Sequence, residues 1–229
     1  SDLTSIRGYQ TTTDSTQKRL CQHQIEKREN INMLIHAHYP RNKDNVIIML
    51  HGTGGDEHNL KDISHFIDPL ATLIGIRGAV EENGMNRYFK RYPDGTFDQK
   101  DLAKQTHSLY NEIARLIKTY ELENAKITLL GYSNGANIAI NIFKEFETNY
   151  HKAILFHPSP VRPDVPLKQQ KDLSVFLTSG KDDFFITPEQ FIQVKDQFTN
   201  AQSFSHEGGH ELIHDELVKA KEFYSSNEA

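Results

Sequence analysis

The chain is poor in cysteine and in long apolar runs. Cys21 is its single cysteine, so no internal disulfide can form, and its polar surroundings (KRLCQHQ) match neither a metal site nor an activated thiol. A reducing, cytoplasmic compartment is therefore expected. No segment comes near the roughly eighteen consecutive apolar residues that a membrane-spanning helix needs, so we expect no membrane span.

Clustered basic charge is also lacking. The chain has 26 Lys and Arg against 31 Asp and Glu, a net charge of −5, and the scattered basic residues argue against a nucleic-acid partner. The polar, Thr-rich start has no apolar core of the kind found in secretory signals. We therefore predict that residues 1–30 form a polar extension outside the core and that residues 31–229 form a single domain.

From residue 45 onward, short apolar runs alternate with amphipathic segments. The apolar runs predict strands at residues 46–50, 73–78, 126–130, 153–156, 174–180 and 203–207. The other segments predict helices at residues 57–72, 101–120, 135–148, 187–199 and 210–224. This alternation is typical of an α/β fold with a mostly parallel central sheet and helices on both faces. Residues 79–100 are long and irregular, and such a segment is more often functional than idle in a compact domain.

The sequence GYSNG, residues 131–135, lies between a predicted strand and a predicted helix. A serine at such a junction lies at the carboxyl edge of a parallel sheet, where α/β proteins bind ligands. Gly131 and Gly135 are small enough to let the strand and the helix approach around a sharp turn. Ser133 is therefore the candidate nucleophile, and the backbone N–H of Asn134 is a candidate oxyanion donor.

A serine nucleophile needs a base and an acid that orients the base, and in this architecture both follow the serine along the chain. Asp182 and Asp183 come directly after a predicted strand, and His210 follows the last one. These positions favour His210 as the base and Asp183 as the acid, with Asp182 as an alternative. His206 is expected to pack or to face solvent. Thr53, in the glycine-rich loop after the first predicted strand, is the second candidate oxyanion donor.

Several separate motifs, in the right order, carry a resemblance to a known family. They are LHGTGGDE (50–57), RGAVEENGMNRYFKR (77–91), GYSNGANIA (131–139), LFHPSP (155–160), SGKDD (179–183) and GGHEL (208–212). Over about residues 33–224 the chain resembles the carboxylesterase and phospholipase branch of the α/β-hydrolases, which also contains the acyl-protein thioesterases. The resemblance implies an α/β-hydrolase fold with no large cap domain.

The resemblance also implies roles for individual residues. It assigns Ser133 as nucleophile, His210 as base and, three residues after Gly180, Asp183 as acid. Members often have proline after this aspartate, whereas Phe184 follows it here, so the turn is expected to differ locally.

Two further loops match the family pattern. His51 and Gly52 form its HG pair, in which the histidine supports the loop rather than reacting. Arg87, Tyr88 and Phe89 fall in a loop that borders the acyl pocket and are therefore predicted to bind substrate. Because dimers are common in this group, a homodimer is expected as one possible assembly.

A metal-based alternative comes from HEGGH (206–210) and HELIH (210–214), which both match the zinc-protease pattern H-E-x-x-H. Two adjacent glycines disfavour a helix in the first copy, so its histidines would not share a face. In the second copy, only acidic residues in or beyond the same helix remain as a third ligand. Zinc chemistry is thus disfavoured, and His214 and Glu211 are expected to face solvent or to pack against the helix.

The sequence therefore predicts a serine carboxylic-ester hydrolase that acts on short-chain acyl or aryl esters through an acyl-enzyme intermediate. Its expected partner is a small-molecule ester, and the predicted chemistry uses no metal and no organic cofactor. An acyl thioesterase or a lysophospholipase with the same residues is the alternative. A non-catalytic binding protein is disfavoured because serine, acid and histidine are all present.

Overall fold

The computed structural model describes residues 15–20 and 33–226. Residues 15–20 form a short helix, and the compact unit that contains the other elements begins at Leu34. Cys21 and most of the predicted polar extension lie outside the described residues. Within the described ranges, no helix combines the length and the apolar character that crossing a membrane requires.

The strands of the compact unit form one large sheet and one small hairpin. The large sheet contains β1 (His36–Tyr39), β2 (Asn42–Leu50), β3 (Ala71–Ile76), β6 (Lys126–Tyr132), β7 (Lys152–Phe156), β8 (Ser174–Gly180) and β9 (Gln202–His206), and the hairpin contains β4 (Val80–Glu82) and β5 (Met85–Arg87). Their order in the large sheet is β1-β3-β2-β6-β7-β8-β9. Only β1 is antiparallel to its neighbour, so the carboxyl ends of all the other strands lie along one edge.

Helices cover both faces of this sheet. They are α1 (Lys61–Ile67), α2 (Gln99–Thr119), α3 (Asn134–Glu145), α4 (Pro188–Asp196) and α5 (His214–Ser226). Along β2, Val46, Ile48 and Leu50 join the core beneath α2, α3 and α4, whereas Ile47 and Met49 join the core beneath α1 and α5. Burial on both faces explains why this strand reads as a continuous apolar run.

The predicted fold class is confirmed, since the sheet is mostly parallel and has helices on both faces. The predicted helix over residues 57–72, however, is too long at both ends, because only α1 (Lys61–Ile67) is helical there. Pro69 sets the C-terminal limit of this helix, because the proline ring disfavours the helical conformation in the residue before it. Asp68 accordingly adopts the extended angles φ −142° and ψ 98°.

Strands β1, β4 and β5 were not predicted. The sequence of β1, HAHY, has no apolar run, and its pairing with β3 depends on the tertiary fold. The hairpin lies inside the irregular segment 79–100, where Asn83 and Gly84 have φ angles of 52° and 76°. An Asn-Gly pair is the strongest short-range signal for a tight hairpin, so this element was predictable.

Gly135 lies where α3 crosses β2 most closely, and we expect Gly135→Ala to destabilise the fold by about 3 kcal/mol. An added Cβ would lie 2.0 Å from the carbonyl oxygen of Leu50, which is backbone and cannot rotate away. Gly84→Ala is the matched control, because only its positive φ is strained and nothing lies within 4 Å; its expected cost is about 1 kcal/mol. Urea unfolding of both variants measures the difference, and equal losses would contradict the close-approach explanation.

Candidate active site

Ser133 occupies a sharp turn between β6 and α3. Its φ of 53° and ψ of −112° lie in a region that residues with a side chain rarely adopt. A Cβ at Gly131 would lie 2.7 Å from the backbone nitrogen of Ala136, so only glycine fits there. The N–H of Ser133 donates to the carbonyl oxygen of Phe156 over 2.9 Å and ties the turn to β7. The turn thus holds the serine hydroxyl at the carboxyl edge of the sheet.

His210 lies in the loop between β9 and α5 and connects Ser133 to Asp183. Its Nε2 is 2.8 Å from Ser133 Oγ, and its Nδ1 is 2.7 Å from Asp183 Oδ2. The Tyr132 hydroxyl donates to the carbonyl oxygen of His210 over 2.7 Å and fixes the loop. Because Nδ1–H donates to the carboxylate, Nε2 is free to accept the proton of the serine hydroxyl. We call this arrangement the Ser133–His210–Asp183 chain.

Of the two adjacent aspartates after β8, only Asp183 faces His210. Its side chain is fully buried, whereas Asp182 is exposed. Burial opposes ionisation of Asp183, but the hydrogen bonds from His210, from the N–H of Phe185 and from His157 outweigh it and lower the pKa of this carboxyl. Asp183 is therefore ionised at neutral pH and can stabilise a protonated His210.

The two residues predicted to supply oxyanion donors line the same cavity as Ser133. Asn134 is the first residue of α3, so its backbone N–H has no partner within the helix. Thr53 follows β2 and lines the same cavity as Ser133. The next residue, Gly54, donates its N–H to the carbonyl oxygen of Asn86 over 2.9 Å, so the β4–β5 hairpin holds this loop in place.

His51 braces the same loop from inside the protein. It is buried, its Nδ1–H donates to the carbonyl oxygen of Gly52 over 2.7 Å, and its Nε2 accepts the N–H of Gly78 over 3.0 Å. Burial lowers the pKa of this imidazole, which agrees with its two roles as donor and acceptor. This geometry suits a supporting residue and leaves no nitrogen free for proton transfer.

Of the three residues predicted to border the substrate, only Arg87 lines the cavity. It donates to Thr53 Oγ1 over 2.6 Å, and burial lowers its pKa to about 10, so it stays charged at neutral pH. Tyr88 and Phe89 instead belong to the hydrophobic core, with exposures of 2% and 0%. The chain turns inward after β5, and the Tyr88 hydroxyl donates to Ile76 O over 2.6 Å, which keeps this side chain away from the cavity.

A cavity of about 930 Å³ opens beside Ser133 and His210. Its size is that of a pocket for a small organic molecule. Its lining includes apolar side chains, namely Met85, Phe97, Pro160, Phe184 and Phe185. It also includes polar side chains, namely Arg87, Arg91, Asp94, Asn137 and Gln190. The cavity therefore offers contacts to both the apolar and the polar parts of a ligand.

The two H-E-x-x-H motifs do not build a shared ligand set among the described residues. His206 and His210 belong to different groups of neighbouring potential ligands, and His214 belongs to neither of them. His206, which was expected to pack or to face solvent, is buried, and its Nε2–H donates to the carbonyl oxygen of Glu211 over 3.1 Å. His214 is exposed at the start of α5. Among the described residues, neither motif therefore brings its two histidines together as a zinc-protease helix does.

Sequence reasoning missed two polar residues beside Asp183. His157 Nδ1 is 3.2 Å from Asp183 Oδ2, and its Nε2 is 2.8 Å from Glu216 Oε2. His157 follows a predicted strand in the motif LFHPSP, so its place at the sheet edge was a usable signal. Glu216 carried no signal, because it lies 59 residues away in a helix whose packing depends on the whole fold.

The fold and the Ser133–His210–Asp183 chain together define an α/β-hydrolase. The sequence pattern of the phospholipase/carboxylesterase family matches residues 35–227, and the chain belongs to that family. As a member of it, the protein is a hydrolase of the carboxylesterase type.

Individual relatives agree with this classification. The MhqD protein of Bacillus subtilis (strain 168) is 39% identical over 194 residues, which cover 82% of this chain and 96% of that protein. The crystal structure of the Bacillus cereus carboxylesterase is 32% identical, with a TM-score of 0.78 over 85% of this chain and 94% of that one. Zea mays acyl-protein thioesterase 2, at 15% identity, shares the fold, with a TM-score of 0.67 over 84% of this chain and 98% of that one.

Proposed function

We propose that this protein is a serine carboxylic-ester hydrolase that acts on short-chain acyl or aryl esters. The observation that carries the proposal is the unbroken run of hydrogen bonds from Ser133 Oγ through His210 to Asp183, with distances of 2.8 and 2.7 Å, beside a cavity. Ser133 is the nucleophile, His210 the general base, and Asp183 the group that orients and stabilises the histidine.

The first half of the reaction forms the acyl-enzyme. His210 Nε2 takes the proton of Ser133 while the serine oxygen attacks the ester carbonyl carbon. The carbonyl oxygen becomes negative and accepts hydrogen bonds from the N–H groups of Asn134 and Thr53. When this intermediate collapses, the bond to the alcohol oxygen breaks, and His210 returns its proton to the leaving alcohol.

The second half releases the acid. Water enters the position that the alcohol has left, and His210 takes one of its protons while its oxygen attacks the acyl carbon. The bond to Ser133 then breaks, and the protonated His210 returns the proton to the serine oxygen. The residues of the chain and one water molecule account for every proton in this cycle.

The character of the cavity supports a small ester with an apolar portion. Phe184 and Phe185 are 93% and 62% exposed and line the cavity. The Phe185 ring centroid is 4.9 Å from that of His210, so an aryl or short alkyl group bound here would lie close to the reacting atoms. Burial of an aryl or alkyl group against these aromatic side chains removes apolar surface from water and so stabilises the bound ester.

A series of substrates tests the proposed specificity. Purified protein should hydrolyse aryl esters of short-chain acids with the highest kcat/KM. The value should fall for longer acyl chains, because polar lining residues such as Arg91 and Asp94 are poor partners for a long apolar chain. Matched acyl thioesters and a lysophospholipid are run in parallel at the same pH, with the Ser133→Ala variant as the blank. A clear preference for the thioester or the lysophospholipid would reject the ester assignment and favour the corresponding alternative.

The assembly as a homodimer and the cytoplasmic location of the protein stay predictions.

A further inference from the structure

His157 lies between two buried carboxylates and touches both. It follows β7, has a φ of 53°, and its side chain is fully buried, as are those of Asp183 and Glu216. Its Nδ1 is 3.2 Å from Asp183 Oδ2, the same oxygen that accepts the hydrogen bond from His210, and its Nε2 is 2.8 Å from Glu216 Oε2. The Ser133–His210–Asp183 chain therefore continues inward through His157 to Glu216.

The hydrogen-bond partners of His157 and of the two carboxylates indicate that His157 carries a positive charge. Asp183 Oδ1 accepts the N–H of Phe185, and Glu216 Oε1 accepts the N–H of Ile213 over 3.1 Å. Asp183 thus uses both oxygens as acceptors, for Phe185 and for His210, so His157 Nδ1 must donate to it. His157 Nε2 faces the second carboxylate, Glu216, and an imidazole that donates to both carboxylates is protonated. The arrangement is that of a buried imidazolium between two carboxylates.

The groups around His157 support this reading. The rings of Tyr132, His206 and His210 lie with centroids 6.1, 5.4 and 5.3 Å from its own, and Asp183 and Glu216 are its hydrogen-bond partners. Burial by itself disfavours the charged form, but hydrogen bonds and attraction from the two carboxylates outweigh it and raise the pKa of His157.

His206 is occupied elsewhere and does not replace His157. Its Nδ1 accepts the N–H of Gly208 over 2.9 Å, and its Nε2–H donates to the carbonyl oxygen of Glu211 over 3.1 Å. Its nearest approach to Glu216 is 3.6 Å, longer than a hydrogen bond of normal strength.

We propose that His157 and Glu216 are positioning residues for the proposed ester hydrolysis: His157 holds Asp183 toward His210 and offsets part of its negative charge, and Glu216 keeps His157 protonated. This inference rests on the proposed role of the Ser133–His210–Asp183 chain. The positive His157 offsets part of the charge of Asp183, because both histidines share Asp183 Oδ2. Removing this charge strengthens the attraction between Asp183 and the cation that His210 becomes during the reaction, so activity is expected to extend less far toward low pH.

Two substitutions of His157 separate its hydrogen bond from its charge. His157→Gln keeps an N–H donor for Asp183 but removes the positive charge, whereas His157→Ala removes both. We expect the acidic midpoint of the pH profile of kcat/KM to rise by about 0.5 to 1 pH unit in both variants. At its own optimum, the glutamine variant should stay within roughly 10-fold of the unsubstituted protein. The alanine variant should fall by roughly 100-fold, because Asp183 is then held only by Phe185 and His210 and is less firmly positioned. A lower melting temperature with an unchanged midpoint would reject the tuning role.

The contribution of Glu216 is tested through the protonation of His157. Glu216→Gln should leave His157 neutral at pH 7, because the remaining carboxylate, Asp183, is 3.2 Å away, is shared with His210 and does not offset the burial of the charge alone. Glu222→Gln is the matched control, since Glu222 lies on the same helix, is exposed and pairs with Lys219 over 3.4 Å. It should leave both the histidine spectrum and the pH profile unchanged. An imidazolium that persists in Glu216→Gln would overturn the role given to Glu216.

Nitrogen NMR of the unsubstituted protein with labelled histidine measures the protonation of His157 directly. The result does not depend on whether a variant folds. Two protonated ring nitrogens on His157 between pH 6 and 8 are expected, and a neutral ring in this range would overturn the proposal. This readout does not depend on hydrolysis. If no ester is hydrolysed but His157 is an imidazolium, the proposed function fails while the charge assignment holds. If esters are hydrolysed and His157 is neutral, only the present inference fails.

Discussion

Replacing Ser133 with alanine is expected to lower kcat/KM for aryl-ester hydrolysis by about three to six orders of magnitude. The substitution removes the oxygen that forms the acyl-enzyme and leaves the oxyanion donors and the cavity in place. Any remaining rate would come from those donors and from substrate binding, which act without the nucleophile. Initial rates with a chromogenic aryl ester, taken across a range of substrate concentrations, measure the loss.

A second serine provides the control for this experiment. Ser203 lies exposed on β9, away from the cavity residues, and Ser203→Ala should keep its rate within about 2-fold. Circular dichroism and thermal unfolding show whether each variant is folded. A folded Ser133→Ala protein that hydrolyses esters at nearly the normal rate would remove Ser133 from the mechanism.

Asp183→Asn is expected to lower kcat by about 1,000- to 10,000-fold. The variant keeps the size of the side chain, but its amide can donate to His210 Nδ1, which would leave the proton on Nε2. In that tautomer Nε2 faces Ser133 as a donor and cannot take its proton. The pH profile should not restore the rate at high pH, because the fault lies in which nitrogen carries the proton.

Asp182→Asn is the matched control for Asp183→Asn. The two residues are adjacent and undergo the same chemical change, but Asp182 is exposed and Asp183 is buried against His210. The Asp182 variant should keep its rate within about 3-fold, since its side chain lies in solvent. A large loss in Asp182→Asn with little effect in Asp183→Asn would assign the acid to the other residue.

The parts of the site that sequence predicted are those fixed by local geometry. Ser133 stands out because a strand, a turn and a helix can only meet closely if Gly131 and Gly135 lack side chains. Asp183 and His210 stand out because they directly follow strands of a parallel sheet, and the carboxyl ends of such strands share one edge. Continuous apolar runs that alternate with amphipathic segments likewise predicted a sheet buried on both faces.

The parts that were not predicted depend on contacts between distant segments. Glu216 meets His157 only when α5 packs against the sheet, and no local pattern marks that contact. Tyr88 and Phe89 were predicted to bind substrate because their segment resembles the family loop that borders the acyl pocket, yet the chain turns both side chains into the core. The sequence favoured Asp183 but left Asp182 as an alternative, because a single position along the chain separates the buried carboxylate from the exposed one.

The central claim is that Ser133 is an activated nucleophile, and covalent labelling tests it most directly. Purified protein is treated with a fluorophosphonate, with and without a chelator, and the adduct is located by mass spectrometry of its peptides. We predict one adduct, on Ser133, that forms equally in the presence of the chelator and that is absent from His210→Ala because the base is missing. Folded protein that gains no adduct, or gains it on another residue, would contradict the account.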